Sequence, residues 1–131
     1  MPALDTNVLV RYLVADDRSQ YQVAKAFIED IVHDEALFIP LSVSVELEWV
    51  LRSLYELNKS TILTTFNSLL ETREIEFHEE SSIEITLNLY ADSNTDFADC
   101  MHIAIAYSNE RAPLVTFDRK ASRLTDAQLL E

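Results

Sequence analysis

The stretch that decides the fold is ALDTNVLVRYLVA, residues 3–15. Its first part, Ala3–Thr6, is a short apolar run ending in a polar corner, which suits a buried strand. Directly after it Val8, Leu9, Tyr12 and Leu13 recur at helical spacing, so Asn7–Ala15 is expected to be a helix. The strand passes into the helix almost without a loop, and the rest of the chain repeats that alternation.

Working outward, Asp17-Arg18-Ser19-Gln20 resembles a capping box with Asp in the place of Ser or Thr, opening a helix to about His33. Ala36–Ile39 is a second short apolar strand, stopped by Pro40. Ser42 or Ser44 is placed to cap a helix running through Glu46 to Leu54, and Ser60 to open another to about Thr72. Glu74–Phe77 alternates charged and apolar residues, as a half-exposed strand does. Ser81-Ser82-Ile83-Glu84 begins a helix by a capping box, reaching about Ala91. Thr95 is placed to cap a helix through Tyr107, and Leu114–Thr116 follows Pro113 as a strand. Strands separated by helix pairs imply a parallel sheet covered by helices. The expected architecture is a three-layer α/β/α domain with a short-stranded, mainly parallel central sheet, formed by residues 1–131 as one unit.

Composition narrows the chemistry. The chain has 131 residues, of which 48% are hydrophobic, enough for a core. Glycine is absent, which excludes Gly-rich phosphate-binding loops of the Walker or dinucleotide type and any nucleophile elbow. A lone cysteine, Cys100, excludes an internal disulfide framework and a cysteine zinc cluster, so a cytoplasmic setting is expected. His33, His78 and His102 are too scattered for a histidine zinc site. No signal peptide or membrane-spanning run is evident, and no membrane partner is expected. Ten Lys and Arg against 23 Asp and Glu give a formal charge of −13, a balance that repels nucleic acid in general.

In parallel sheets ligands gather at the carboxyl ends of the strands. Asp5 ends the first expected strand, Glu46 lies in the first turns of the helix after the second, and Asp118 lies two residues beyond the last. Asp96 and Asp99, three apart, share one face at a helix start. Hard divalent cations take such oxygen ligands and can activate water at a phosphoryl group. Each acid also has an ordinary reading: Asp5 as a helix cap, Asp96 and Asp99 as acids favoured by the helix dipole, Glu46 (like its neighbour Glu48) as a solvated residue, and Asp118 as a turn residue. Arg11, Arg119 and Lys120 are candidate partners for these acids or for phosphate. His102, three residues after Asp99, is placed to approach the site but reads first as a packing or surface residue, and Cys100 reads as a small buried one. Trp49 with Val45, Val50 and Leu54 reads mainly as core, with an apolar groove for a partner as the alternative.

Four segments, LDTNVLVRYL (4–13), SVSVELEWVL (42–51), DFADCMHIAIA (96–106) and LVTFDRKASRL (114–124), occur in an order and spacing that resembles PIN domains, and more narrowly the VapC-type toxins of bacterial toxin–antitoxin pairs. The resemblance implies a Mg²⁺- or Mn²⁺-dependent endoribonuclease. Its acidic positions fall on Asp5, Glu46, Asp99 and Asp118 as metal ligands, with Asp96 as an additional catalytic acid. Thr6, Asn7 and Thr116 match supporting small polar positions. It also implies an RNA substrate, a homodimer, and a VapB-like antitoxin whose C-terminal segment covers the active site. The alternatives are a receiver-like signalling module, disfavoured because Asp5 lacks an adjacent acid, and a PIN domain acting only as a scaffold. Along the chain the charge is uneven. Six glutamates crowd residues 71–84, whereas Arg111, Arg119, Lys120 and Arg123 fall within 13 residues around Asp118.

Overall fold

A computed structural model describes all residues, Met1–Glu131. By packing, the chain divides into two units, Met1–His78 and Glu79–Glu131. The first contains α1 (Thr6–Val14), α2 (Arg18–Ile31), β1 (Leu37–Ile39), α3 (Leu41–Ser53), α4 (Lys59–Glu71) and β2 (Ile75–Phe77). The second contains α5 (Glu80–Asp92), α6 (Phe97–Ser108), β3 (Leu114–Thr116), a 3₁₀ turn (Ala121–Arg123) and β4 (Ala127–Leu129).

In the first unit β1 and β2 pair in parallel, Leu37 opposite Ile75 and Ile39 opposite Phe77. These four side chains are buried, while Glu76 on the other face is exposed, so period-two alternation sets the register. The expected strand Ala3–Thr6 is reduced to a single parallel bridge, Ala3 with Phe38. Leu4 N–H donates to the Phe38 carbonyl and Phe38 N–H to that of Pro2, both at 2.9 Å. The chain cannot extend further because Asp5 already caps a helix: its Oδ1 accepts from the N–H groups of Asn7 (2.8 Å) and Val8 (3.3 Å). α1 then buries Leu9 and Val10, each burial stabilising by about 1.5–3 kcal/mol.

Other helix starts differ in their caps. Asp17 caps α2 through Gln20 N–H at 3.0 Å, as expected, but the helix ends at Ile31. Neither Ser42 nor Ser44 caps α3, whose N-cap is Pro40. Ser44 is instead turned into the core, fully buried. Asn58, not Ser60, caps α4 by accepting from Thr61 N–H at 2.8 Å, because a cap must precede the first turn.

In the second unit α5 and α6 pack against each other. Thr86 Oγ1 donates to Met101 Sδ at 3.4 Å and the Tyr90 and Phe97 rings stand 5.3 Å apart, while Ile83, Leu87, Cys100 and Ala104 are buried as well. The expected capping box at Ser81 does not form. α5 starts from Glu79, which is in the left-handed region (φ 59°) and makes no side-chain cap bond. At α6 the N-cap is Asp96 rather than Thr95. Thr95 is buried instead, its hydroxyl donating to the Lys120 carbonyl at 3.4 Å.

β3 follows the cis Ala112–Pro113 bond and pairs in parallel with β4, which the sequence pattern did not reveal. Both β3 and β4 are only half buried, so neither carries a strong apolar signature. The parallel pairing and the α/β class are as expected. The strands pair as β1 with β2 in the first unit and as β3 with β4 in the second.

Candidate active site

The first unit carries Asp5 and Glu46. Asp5 sits where the bridge ends and α1 begins, and both of its capping bonds fall on Oδ1. The helix-cap reading is thus correct for one oxygen, and the second oxygen carries neither of those bonds. Glu46 lies on α3 with its residue exposed to solvent, and it is tied to the same corner. The buried Thr6 donates its hydroxyl to Glu46 Oε1. Thr6, next to Asp5 in the chain, therefore holds Glu46 at the start of α1. Glu46 is a solvent-facing residue, but an anchored one.

Its neighbour Glu48 departs from expectation. It is 3% exposed and accepts from Arg52 Nε at 2.8 Å on the next turn. The helix turns 100° per residue, so the side chain two positions after Glu46 points inward and brings Arg52 as its counter-ion. Trp49 and Leu54, expected mainly as core, are 50% and 65% exposed. That stripe lies on the outer side of α3, whereas Val43, Leu47 and Leu51 bury the inner side.

Arg11 does not attend the acids. Its guanidinium donates to Gln20, to Tyr55 Oη (3.0 Å) and to Asp16 (3.3 Å), while Tyr55 Oη donates to Asp16 Oδ2 at 2.8 Å. The Tyr55 hydroxyl is its main support, raising the guanidinium pKa further above its ordinary range. Arg11 thereby fastens α1 to α2 and to the segment after α3.

The second unit carries the other three acids. Asp96 occupies the N-cap position of α6 but makes no side-chain cap bond, so its carboxylate is not used to terminate the helix. Asp99 lies in the first turn, half buried. Asp118 lies just past β3 in a turn held by its own groups. Its N–H donates to Thr116 Oγ1 at 3.0 Å, its Oδ1 accepts from Ala121 N–H at 2.8 Å, and its carbonyl accepts from Ser122 N–H at 3.0 Å. The turn reading of Asp118 is thus also correct, and Thr116 is a supporting residue through its hydroxyl.

The three carboxylates are close enough to act on one another. Burial, then the charge of Asp118, then that of Asp96 push the Asp99 carboxyl above its ordinary pKa, while His102 pulls it back. His102, one helical turn beyond Asp99, is an exposed surface residue, as one of its two expected roles had it, and its charge also acts on Asp99. Its spacing of three from Asp99 was the only signal for it. In neither unit do three acid or histidine side chains already close into a metal cage. The donor set is nevertheless oxygen-rich and under mutual repulsion around Asp99, the condition that a hard divalent cation relieves. Cys100 is buried with its thiol donating to the Thr95 carbonyl at 3.7 Å and adds no ligand.

A PIN-domain family model matches residues 3–127. The chain belongs to the PIN-domain family. This PIN domain is also similar to the VapC ribonuclease of Aquifex aeolicus (strain VF5), at 25% identity over 124 residues, 95% of this chain and 92% of that protein. Family membership sets aside the receiver-like alternative. No helix is long and apolar enough to cross a membrane.

Proposed function

We propose that this PIN domain is a divalent-metal-dependent endoribonuclease and the toxin of a toxin–antitoxin pair. The observation that carries the reading is the crowding of Asp96 and Asp118 on Asp99, which raises the pKa of a half-buried carboxyl in a PIN domain. Similarity over nearly the whole chain to a protein named VapC ribonuclease supports the substrate class. In this reading Asp5, Glu46, Asp99 and Asp118 are the ligands of Mg²⁺ or Mn²⁺, and Asp96 is a further acid of the site. The cation would supply an activated water and neutralise charge developing on the phosphodiester.

The chain's own residues have separable roles. Thr6 holds the Glu46 carboxylate, and the turn bonds of Asp118 fix its backbone so that one oxygen stays oriented. Asp96, unused as a cap, is free to accept a hydrogen bond from water.

An RNA-cleaving toxin needs restraint, and the −13 charge suits a basic antitoxin segment of VapB type. A homodimer and a cytoplasmic setting complete the proposal. The test is cleavage of a structured RNA with Mg²⁺ or Mn²⁺, repeated with chelator and with Asp5→Asn and Asp99→Asn. Cleavage should vanish in all three cases. Undiminished cleavage under chelator would sink the metal mechanism, and no cleavage of any RNA by the metal-loaded wild type would leave only the scaffold reading.

A further inference from the structure

The chain has one conspicuous side chain that neither the core nor the acids use. Phe117 is 76% exposed, more than any other large apolar residue. It stands between Thr116 and Asp118, in the turn whose carboxylate acts on Asp99 through its charge. That turn is held on both sides of Phe117, by Asp118 N–H to Thr116 Oγ1 and by Ala121 and Ser122 N–H to Asp118. The ring is thus presented outward by backbone that is already fixed. Leaving a phenyl in water forfeits stabilisation that burial would supply. Val115, two residues earlier on the same strand, is also 54% exposed, so the apolar face continues along β3.

The surroundings indicate what the ring meets. Arg119 and Lys120 follow Asp118 on the same turn, and Arg123 ends the 3₁₀ turn, all exposed. Between residues 111 and 123 there are four cations and a single acid, Asp118, in a chain of net charge −13. An outward aromatic ring flanked by cations is the combination by which proteins hold single-stranded nucleic acid: cations follow phosphates while rings stack on unpaired bases. A protein so acidic gains little from general attraction to a polyanion, so an uncharged stacking contact has more of the affinity to supply.

Resting on the ribonuclease reading above, we propose that Phe117 stacks on an unpaired RNA base next to the phosphate presented to Asp99 and Asp118, restricting the substrate to single-stranded or looped RNA. Phe117 is then a substrate-positioning residue and takes no part in bond cleavage.

The test measures binding of a short unstructured oligoribonucleotide, and of the same strand annealed to its complement, in the Asp99→Asn background where no cleavage occurs. Adding Phe117→Ala should weaken single-strand binding by about tenfold, the scale of one lost base stack. Phe117→Trp should restore it, and duplex binding should stay weak throughout. Because the lost contact is uncharged, the salt dependence should not change. Unchanged single-strand binding in Phe117→Ala, or equal losses for single strand and duplex, would overturn the proposal. So would conversion of a dimer to monomers by Phe117→Ala, which would assign the ring to contact between copies. Cleavage by the metal-loaded protein with native Asp99 separates the two readings. If it cuts RNA and Phe117→Ala cuts equally well, only the stacking proposal fails; if it cuts no RNA, the ribonuclease reading fails with it.

Discussion

Single residues here carry opposing demands, and Asp99 shows them most clearly. Its carboxyl is raised in the folded chain by burial and by Asp118 and Asp96. The native state therefore binds this proton more tightly than the unfolded chain, and ionising Asp99 costs stability. The cost is absent below the unfolded carboxyl value of about 3.9 and complete once pH exceeds the raised native value. In chelator at neutral pH, Asp99→Asn should melt on the order of 2 °C higher than wild type. The gap should close on acidification through that window, as followed by thermal melts across pH. Adding Mn²⁺ should stabilise the wild type and not the variant. A second residue-scale expectation concerns Tyr55, whose hydroxyl joins Arg11 to Asp16. Tyr55→Phe should cost about 1 kcal/mol, read by urea denaturation. No sequence pattern announced that network, because Arg11 and Tyr55 are 44 positions apart.

At the scale of elements, the absence of glycine has a visible cost. Five non-glycine residues, Ala15, Glu56, Glu79, Glu110 and Asp126, adopt positive φ. Glu110 closes α6: its N–H donates to the Tyr107 carbonyl, and Arg111 N–H reaches back to Ala106 at 2.8 Å. This is the geometry in which helices commonly place glycine after the cap. Glu110→Gly should therefore stabilise by about 0.5–1 kcal/mol, the left-handed penalty less the entropy of glycine in the unfolded chain. Thermal denaturation checks this, and a lower melting temperature would contradict it. Helix existence was legible throughout, since apolar spacing reports which face must be buried. Helix starts were legible only where a side chain caps. Asp17 does so, whereas Pro40, Glu79 and Asp96 start helices without a side-chain cap bond. β4 was not legible because a three-residue strand, exposed Gln128 between half-buried Ala127 and Leu129, is too short for its alternation to separate a strand from a loop.

For the molecule as a whole, the charge limits how the proposed RNA substrate is held. With 23 acids and ten Lys and Arg, the proposal confines phosphate contacts to a few cations such as Arg119 and Lys120. RNA binding by the Asp99→Asn protein should thus show a shallow salt dependence. Charge removal at both Arg119 and Lys120 should lower the slope of log K against log[salt] by about 1.5 for a single strand. Fluorescence anisotropy across a salt series measures it, and an unchanged slope would remove these two residues from the phosphate path.

The four segments around Asp5, Glu46, Asp99 and Asp118 were enough to point to the PIN family and the α/β class. Residue type and order are written in the chain, and alternation of apolar periods follows from burial. Which acids act on one another was decided only by folding, because repulsion and burial depend on distance in space. Thus Asp118, 19 residues after Asp99, perturbs it more than Asp96 three residues away. Glu48 shows the same limit: two positions along the helix from Glu46, an expected surface acid became a buried partner of Arg52. Phe117 shows it again, since its exposure follows from the turn that holds it and not from its residue type.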